Sequence, residues 1–142
     1  MTLARIHPVA DADKRKRVTI LGSTGSIGRS TVDLVLANPD KFDVVGLTAG
    51  QNVELLAEQA IKLSPRCVAI AESHFYGQLK ELLKGTRIEV AAGEDAILNV
   101  ASEPTDWTMS AIVGAAGLRP TLTAIRQGKT VALANKECIV CG

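Results

Sequence analysis

Aromatic side chains are nearly missing from this sequence: two phenylalanines, one tyrosine and one tryptophan make up 3% of 142 residues. Any core must therefore be filled by aliphatic side chains and alanine, and a hydrophobic content of 46% suffices to build one. Cysteine is scarce too. Three residues, an odd number, make no disulfide framework, which leaves a cytosolic, reducing setting (cytoplasmic localisation) as the default. An excess of either charge is also missing, since 16 basic against 15 acidic residues give +1. That balance lacks the electrostatic footprint of a partner for nucleic acid or an anionic membrane. No apolar run approaches the ~20 residues of a membrane span, and the N-terminus has no apolar core of a secretory signal.

What is present fits one domain, because domains most often hold ~100–150 residues. Residues 1–16 are polar, include His7 and Pro8, and lead into Lys14-Arg15-Lys16-Arg17. A basic arm for nucleic acid would carry such a run. A short, isolated one reads instead as a solvated, flexible leader, with the domain itself over 17–142.

The stretch Gly22-Ser23-Thr24-Gly25-Ser26-Ile27-Gly28 organises that domain. Before it, Val18-Thr19-Ile20-Leu21 is apolar and β-branched enough to be a buried strand. After it, 29–36 reads as a helix stopped by Asn38-Pro39. Strand, glycine turn and helix bring unpaired backbone N–H groups and a helix N-terminus together, a place suited to phosphate or pyrophosphate. The spacing is G-x-x-G-x-x-G rather than G-x-G-x-x-G, and no G-K-[ST] follows. Taken alone, the loop also fits a tight strand–helix connection with no ligand.

The pattern then repeats. Residues 42–48 read as a second strand, followed by the turn Ala49-Gly50-Gln51-Asn52 with Asn52 as helix N-cap. Leu56, Ala60 and Leu63 fall on one helix face that Ser64-Pro65 ends. Residues 67–71 form a third strand, and Ser73 is placed to cap a helix with a buried stripe of Phe75, Leu79, Leu82 and Leu83. A strand at 87–91 and a helix at 94–101 come next. Strand 109–113 runs into Gly114-Ala115-Ala116-Gly117. The following helix has Pro120 in its first turn, Leu118, Leu122 and Ile125 on one face, and Gly128 as its stop. The last strand is 130–134. Strands alternating with helices predict a doubly wound parallel α/β sheet with right-handed crossovers and helices on both faces.

In such sheets ligands bind at the carboxyl ends of the strands. Three stretches meet there: the 22–28 loop, the 49–52 turn and Asn135-Lys136-Glu137. An NAD site usually carries Asp or Glu at the end of the second strand, whereas Leu47-Thr48-Ala49-Gly50 offers none, so NADP is favoured. Arg29, Gln51 and Asn52 are the nearest candidates for its 2′-phosphate, and Arg29 reads equally as a solvent-facing helix residue. Lys136 beside Glu137 could orient a substrate phosphate or hydroxyl, or form an ordinary surface ion pair. The apolar pair inside Cys138-Ile139-Val140-Cys141 points to packing rather than redox or zinc chemistry. Cys67 reads as a small core residue and His74 as a surface one.

Two blocks carry a resemblance to a known family. The first is Leu21-Gly22-Ser23-Thr24-Gly25-Ser26-Ile27-Gly28 with Ser30-Thr31, Asn38-Pro39 and Ala49-Gly50-Gln51-Asn52-Val53. The second is Ala111-Ile112-Val113-Gly114-Ala115-Ala116-Gly117-Leu118 with Pro120-Thr121-Leu122, Gly128-Lys129-Thr130 and Leu133-Ala134-Asn135-Lys136-Glu137. Together they resemble the 1-deoxy-D-xylulose 5-phosphate reductoisomerases of non-mevalonate isoprenoid biosynthesis. The resemblance implies a Rossmann-like, NADPH-binding N-terminal domain. In it Thr24, Gly25, Ser26 and Ile27 would hold the pyrophosphate and Gly50, Gln51 and Asn52 would face the 2′-phosphate. Asn135 and Glu137 would lie by the nicotinamide, and Lys136 would reach the substrate. Gln51 stands where many members carry lysine, and Cys138 where serine is common.

The implied reaction isomerises and reduces the phosphosugar 1-deoxy-D-xylulose 5-phosphate to 2-C-methyl-D-erythritol 4-phosphate. Mg or Mn would be bound by carboxylates beyond the Asn-Lys-Glu motif, in a catalytic domain outside this chain, and the full-length enzyme would be a homodimer. On this reading the chain holds no metal ligand and no catalytic residue, and binds NADPH without turnover. Two rivals remain: another NADP-dependent reductase, such as the semialdehyde dehydrogenase or dihydrodipicolinate reductase types, and a stand-alone NADP-sensing or regulatory domain.

Overall fold

The computed structural model describes residues 15–134. Six strands, β1 (Lys16–Leu21), β2 (Phe42–Ala49), β3 (Cys67–Ile70), β4 (Glu89–Ala92), β5 (Trp107–Ser110) and β6 (Thr130–Leu133), form one sheet in the order β4-β3-β2-β1-β5-β6. Every neighbouring pair is parallel. Five α-helices connect them: α1 (Ser26–Ala37), α2 (Val53–Leu63), α3 (Tyr76–Leu82), α4 (Glu94–Ala101) and α5 (Leu118–Ile125). The doubly wound parallel architecture expected from the alternating pattern is the one observed.

Side-chain alternation along the strands divides the core in two. Val18 and Ile20 of β1 and Val68 and Ile70 of β3 pack with Val32 and Val35 of α1, Leu56, Ala57 and Ala60 of α2 and Leu79 of α3. Leu21 and Ala69, pointing the other way, pack with Ala96, Ile97, Val100 and Ala101 of α4. Burying each such valine, leucine or isoleucine contributes roughly 1.5–3 kcal/mol, so aliphatic groups build both halves with little aromatic help. The sole tryptophan, Trp107, lies 6.5 Å from Phe42, centroid to centroid.

The boundaries shift where tertiary contacts override local pattern. β1 starts at Lys16 because its N–H donates to the Lys41 carbonyl. α1 begins at Ser26, three residues before the expected start, and so takes in the end of the glycine motif. β5 stops at Ser110, and Val113, expected in the strand, is 82% exposed. Leu79 of α3 and Leu83, its C-cap, are buried as expected, but Leu82 is exposed because this helix lies at the sheet margin. Ser73 opens a 3₁₀ turn (Ser73–Phe75) and makes no side-chain cap. α5 buries Pro120, Thr121 and Ala124 and leaves Ile125 exposed, a rotation from the expected Leu118–Leu122–Ile125 face. The hydrogen bond between the Ser110 and Thr121 hydroxyls favours that rotation, because it turns Thr121 inward.

The starts of β1 and β5 are tied by Asp106, whose Oδ2 accepts the Arg17 N–H at 2.9 Å and whose Oδ1 lies 3.5 Å from the Arg17 guanidinium. The backbone hydrogen bond, more than the guanidinium, holds this carboxyl below its ordinary value. A lowered folded-state value stabilises at neutral pH, and the contribution disappears as pH falls through it. Asp106→Asn is therefore expected to lower the urea-unfolding free energy at pH 7 by under about 1 kcal/mol, because both side chains are well solvated. The two proteins should converge in stability in strong acid.

Candidate functional site

At the carboxyl end of the sheet, Leu21 passes directly into a turn where Gly22 takes a φ of +79°. A Cβ there would lie 2.9 Å from the Ala111 carbonyl carbon, so glycine alone lets β1 run this close to the chain leaving β5. The turn is tied on both sides. Ala111 N–H donates to the Leu21 carbonyl at 2.8 Å, Gly22 N–H to Thr48 Oγ1 at 2.9 Å, and Ser23 N–H to the Thr48 carbonyl at 2.8 Å. The ends of β5, β1 and β2 are thereby held as one platform.

α1 then starts at Ser26, with Gly25 as N-cap and no side-chain cap among the described residues, and the first helical N–H to find a backbone acceptor is that of Arg29, on Gly25. The Ser26 and Ile27 N–H groups, on exposed residues at the positive end of the helix dipole, have no backbone acceptor among the described residues, and no acidic side chain stands in the first turn to compete for them. Gly28 brings this helix against the loop, since a Cβ on it would fall 2.0 Å from the Gly22 carbonyl oxygen.

A cavity of about 410 Å³ opens beside this turn. Gly22, Thr24 and Gly25 line it from the first loop, Thr48, Ala49 and Gly50 from the end of β2, and Ala71 from the end of β3. Ile97 and Leu98 of α4 form an apolar wall, and the second small-residue turn contributes Ala111, Ile112, Val113, Ala115 and Ala116. Glu94 and Arg119 are the charged residues on its lining. A mostly apolar groove that borders a helix N-terminus matches a ligand that combines a flat apolar group with a phosphate.

The structure thus brings the 22–28 loop and the 49–52 turn together. Thr24, Gly25 and Gly50 face the cavity, whereas Ser26, Ile27, Gln51 and Asn52 lie outside its lining and are exposed. Asn52 caps α2, its Oδ1 accepting the Leu55 N–H at 3.2 Å, which leaves only its amide nitrogen for a ligand. Arg29 is exposed on α1. Asn135, Lys136, Glu137, Cys138 and Cys141 lie outside the described residues. Ala134, the last described residue, lies at the carboxyl edge of the sheet beside the end of β5, its N–H bonded to the Ser110 carbonyl. Cys67 is half-buried and its thiol is pushed up to about 11, mainly by desolvation, which keeps it protonated and unreactive near neutrality. His74 is exposed, 3.9 Å from the Glu72 carboxylate.

Sequence reasoning missed Thr48, Gln59 and the α4–α5 wall. Gln59 had a signal, being a polar residue on the Leu56–Ala60–Leu63 face of α2. The wall had a weaker one, since Gly114 to Gly117 follows β5 as Gly22 to Gly28 follows β1.

A parallel sheet wound in both directions from β1, with a glycine turn at the reversal, defines a Rossmann-like α/β domain. The family model for 1-deoxy-D-xylulose 5-phosphate reductoisomerase matches residues 18–142. The enzyme of that name from Rhodopseudomonas palustris is 51% identical over 132 residues, covering 93% of this chain and 32% of the relative. Among solved structures, the Zymomonas mobilis reductoisomerase in complex with NADPH superposes with a TM-score of 0.88 at 51% identity, over 89% of this chain and 34% of that one. A reductoisomerase in complex with NADPH, fosmidomycin and magnesium gives 0.83 at 35% identity, over 88% and 31%. The chain belongs to the 1-deoxy-D-xylulose 5-phosphate reductoisomerase family. It spans about a third of the length of the curated relatives it matches.

Proposed function

We propose that this chain is the NADPH-binding domain of an enzyme that isomerises and reduces 1-deoxy-D-xylulose 5-phosphate to 2-C-methyl-D-erythritol 4-phosphate. The observation that carries this reading is the platform at the ends of β1 and β2. There Thr24 and Gly25, at the N-terminus of α1, line a groove, and the end of β2 holds Thr48, Ala49 and Gly50 with no carboxylate. The Thr48 hydroxyl, engaged with Gly22, closes that strand end without adding charge. A 2′-phosphate meets no carboxylate from β2 there, whereas an NAD site would place an acid from that strand end on the ribose.

In this reading Thr24, Gly25, Ser26 and Ile27 hold the pyrophosphate through backbone donors, and Gly50, Gln51 and Asn52 receive the 2′-phosphate. Ile97 and Leu98 offer apolar surface for the adenine. Asn135 and Glu137 attend the nicotinamide end and Lys136 the substrate phosphosugar, with 17–142 forming the cofactor domain after a leader at 1–16. When bound, NADPH supplies hydride for the reduction. Among the described residues no three His, Cys, Asp or Glu side chains are grouped to hold a metal ion. No helix among them is long and apolar enough to cross a membrane. The same proposal takes the full-length enzyme as a cytoplasmic homodimer whose metal-binding and catalytic groups lie in its remaining two thirds.

Calorimetric titration of the chain with NADPH and NADH tests the cofactor. NADPH is expected to bind at least about tenfold more tightly, the equivalent of one charge-assisted contact to the 2′-phosphate. Equal affinities would sink the NADP assignment.

A further inference from the structure

Behind the glycine turn, three residues far apart in sequence form a closed polar group inside the core. Ser23 is fully buried, Thr48 is 1% exposed, and Gln59, one turn and a half into α2, is 4% exposed. The Ser23 hydroxyl donates to Gln59 Oε1 at 2.6 Å, and Gln59 Nε2 donates back to the Ser23 carbonyl at 2.9 Å. The Thr48 carbonyl takes the Ser23 N–H at 2.8 Å. Ser23 is therefore gripped at its N–H, its hydroxyl and its carbonyl, and Gln59 supplies two of those three contacts.

The carbonyl contact has a consequence for the groove. A trans peptide is planar, with its C=O and N–H pointing in opposite directions. Holding the Ser23 carbonyl inward, against α2, turns the N–H of the same peptide, that of Thr24, outward. Thr24 lines the cavity. Packing alone does not explain an amide here, because Leu56 and Ala60 on the same helix face are fully buried apolar residues, and a leucine or methionine would fill the space without desolvating two polar atoms.

We propose that Gln59 is a positioning residue for the cofactor pyrophosphate: through the Ser23 carbonyl it aims the Thr24 N–H into the groove. Because Gln59 sits on the helix that Asn52 caps, it also makes the pyrophosphate loop and the 49–52 turn one rigid unit. This rests on the NADPH reading above.

The test compares two ligands that divide the site. NADP⁺ carries both the 2′-phosphate and the pyrophosphate, whereas 2′-AMP carries the adenosine 2′-phosphate alone. Gln59→Met, which removes both hydrogen bonds at similar volume, is expected to weaken NADP⁺ binding about tenfold and to leave 2′-AMP within about twofold. Gln59→Glu adds a readout that packing would not move. Its ionised carboxylate cannot donate to the Ser23 carbonyl, but the protonated acid can, so NADP⁺ affinity relative to wild type should recover as pH is lowered from 8 to 6. In the ¹H–¹⁵N spectrum, the NADP⁺-induced shift of the Thr24 amide should shrink in Gln59→Met. Equal weakening of both ligands, or unchanged NADP⁺ binding, overturns the proposal by reducing Gln59 to a packing residue. Should Gln59→Met fail to fold, a Gln59→Glu affinity ratio that stays flat with pH overturns it instead. Wild-type protein that binds neither ligand refutes the NADPH reading itself, before any variant is made, and the proposal with it.

Discussion

Gly28→Ala is expected to destabilise the folded chain by about 3 kcal/mol or more, seen as a fall in Tm of roughly 10 °C. The added methyl would sit 2.0 Å from the Gly22 carbonyl oxygen and 2.6 Å from the Ser23 Cα, both backbone atoms. Neither can step aside. Gly22 is pinned by Thr48 on one side and by the Ala111 backbone on the other, and Ser23 is held by Thr48 and Gln59. Alanine's better helix propensity, worth about 1 kcal/mol, does not offset a clash of that size. Gly77→Ala makes the matching control. It lies in α3 with nothing within 4 Å of its added Cβ, so it should raise stability by about 0.5–1 kcal/mol. Thermal unfolding of the two variants side by side checks both signs. A Gly28→Ala protein melting within about 2 °C of wild type would mean that the helix does not approach the loop this closely.

Gly25→Ala should do the opposite, sparing the fold and removing the ligand. Gly25 has φ −77°, which any residue adopts, and its added Cβ meets only the Gly22 carbonyl oxygen, at 3.8 Å. The folding cost is that of alanine at a helix N-cap, under about 1 kcal/mol. The methyl would stand instead on the cavity lining, where the pyrophosphate is proposed to approach the helix N-terminus. NADPH affinity is expected to fall about tenfold to a hundredfold, the equivalent of one or two charge-assisted hydrogen bonds. The thermal shift produced by a saturating ligand, about 2.7 kcal/mol at a hundredfold excess over Kd, should shrink accordingly. A variant that binds NADPH normally would place the pyrophosphate elsewhere. The pair therefore separates two reasons for glycine within one motif, room for the protein's own backbone at 28 and room for a ligand at 25.

Much of this was legible from local pattern. The alternation of β-branched runs with helical periodicity gave the parallel doubly wound class, and Glu94–Ala101 came out at its observed bounds. Asn52 was recognisable as a cap because its side chain acts within three residues of itself. The failures share one cause. Leu82 and Ile125 obey helical periodicity yet are exposed, because which face of a short helix is covered depends on neighbours distant in sequence. Val113 continues an apolar run, but β5 ends where its partners β1 and β6 end at Leu21 and Leu133.

By itself the sequence determined the strand–turn–helix order, the aliphatic character of the core, the absence of a carboxylate at the end of β2 and the motif blocks by which the family is recognised. These are properties of neighbouring residues, and the chemistry of a short stretch suffices to set them. Only the tertiary structure decided how the glycine motif is used. Gly22 answers to Ala111, 89 residues on, and Ser23 to Thr48 and Gln59. Such pairings arise when β1 is placed between β2 and β5, which no window of local sequence contains.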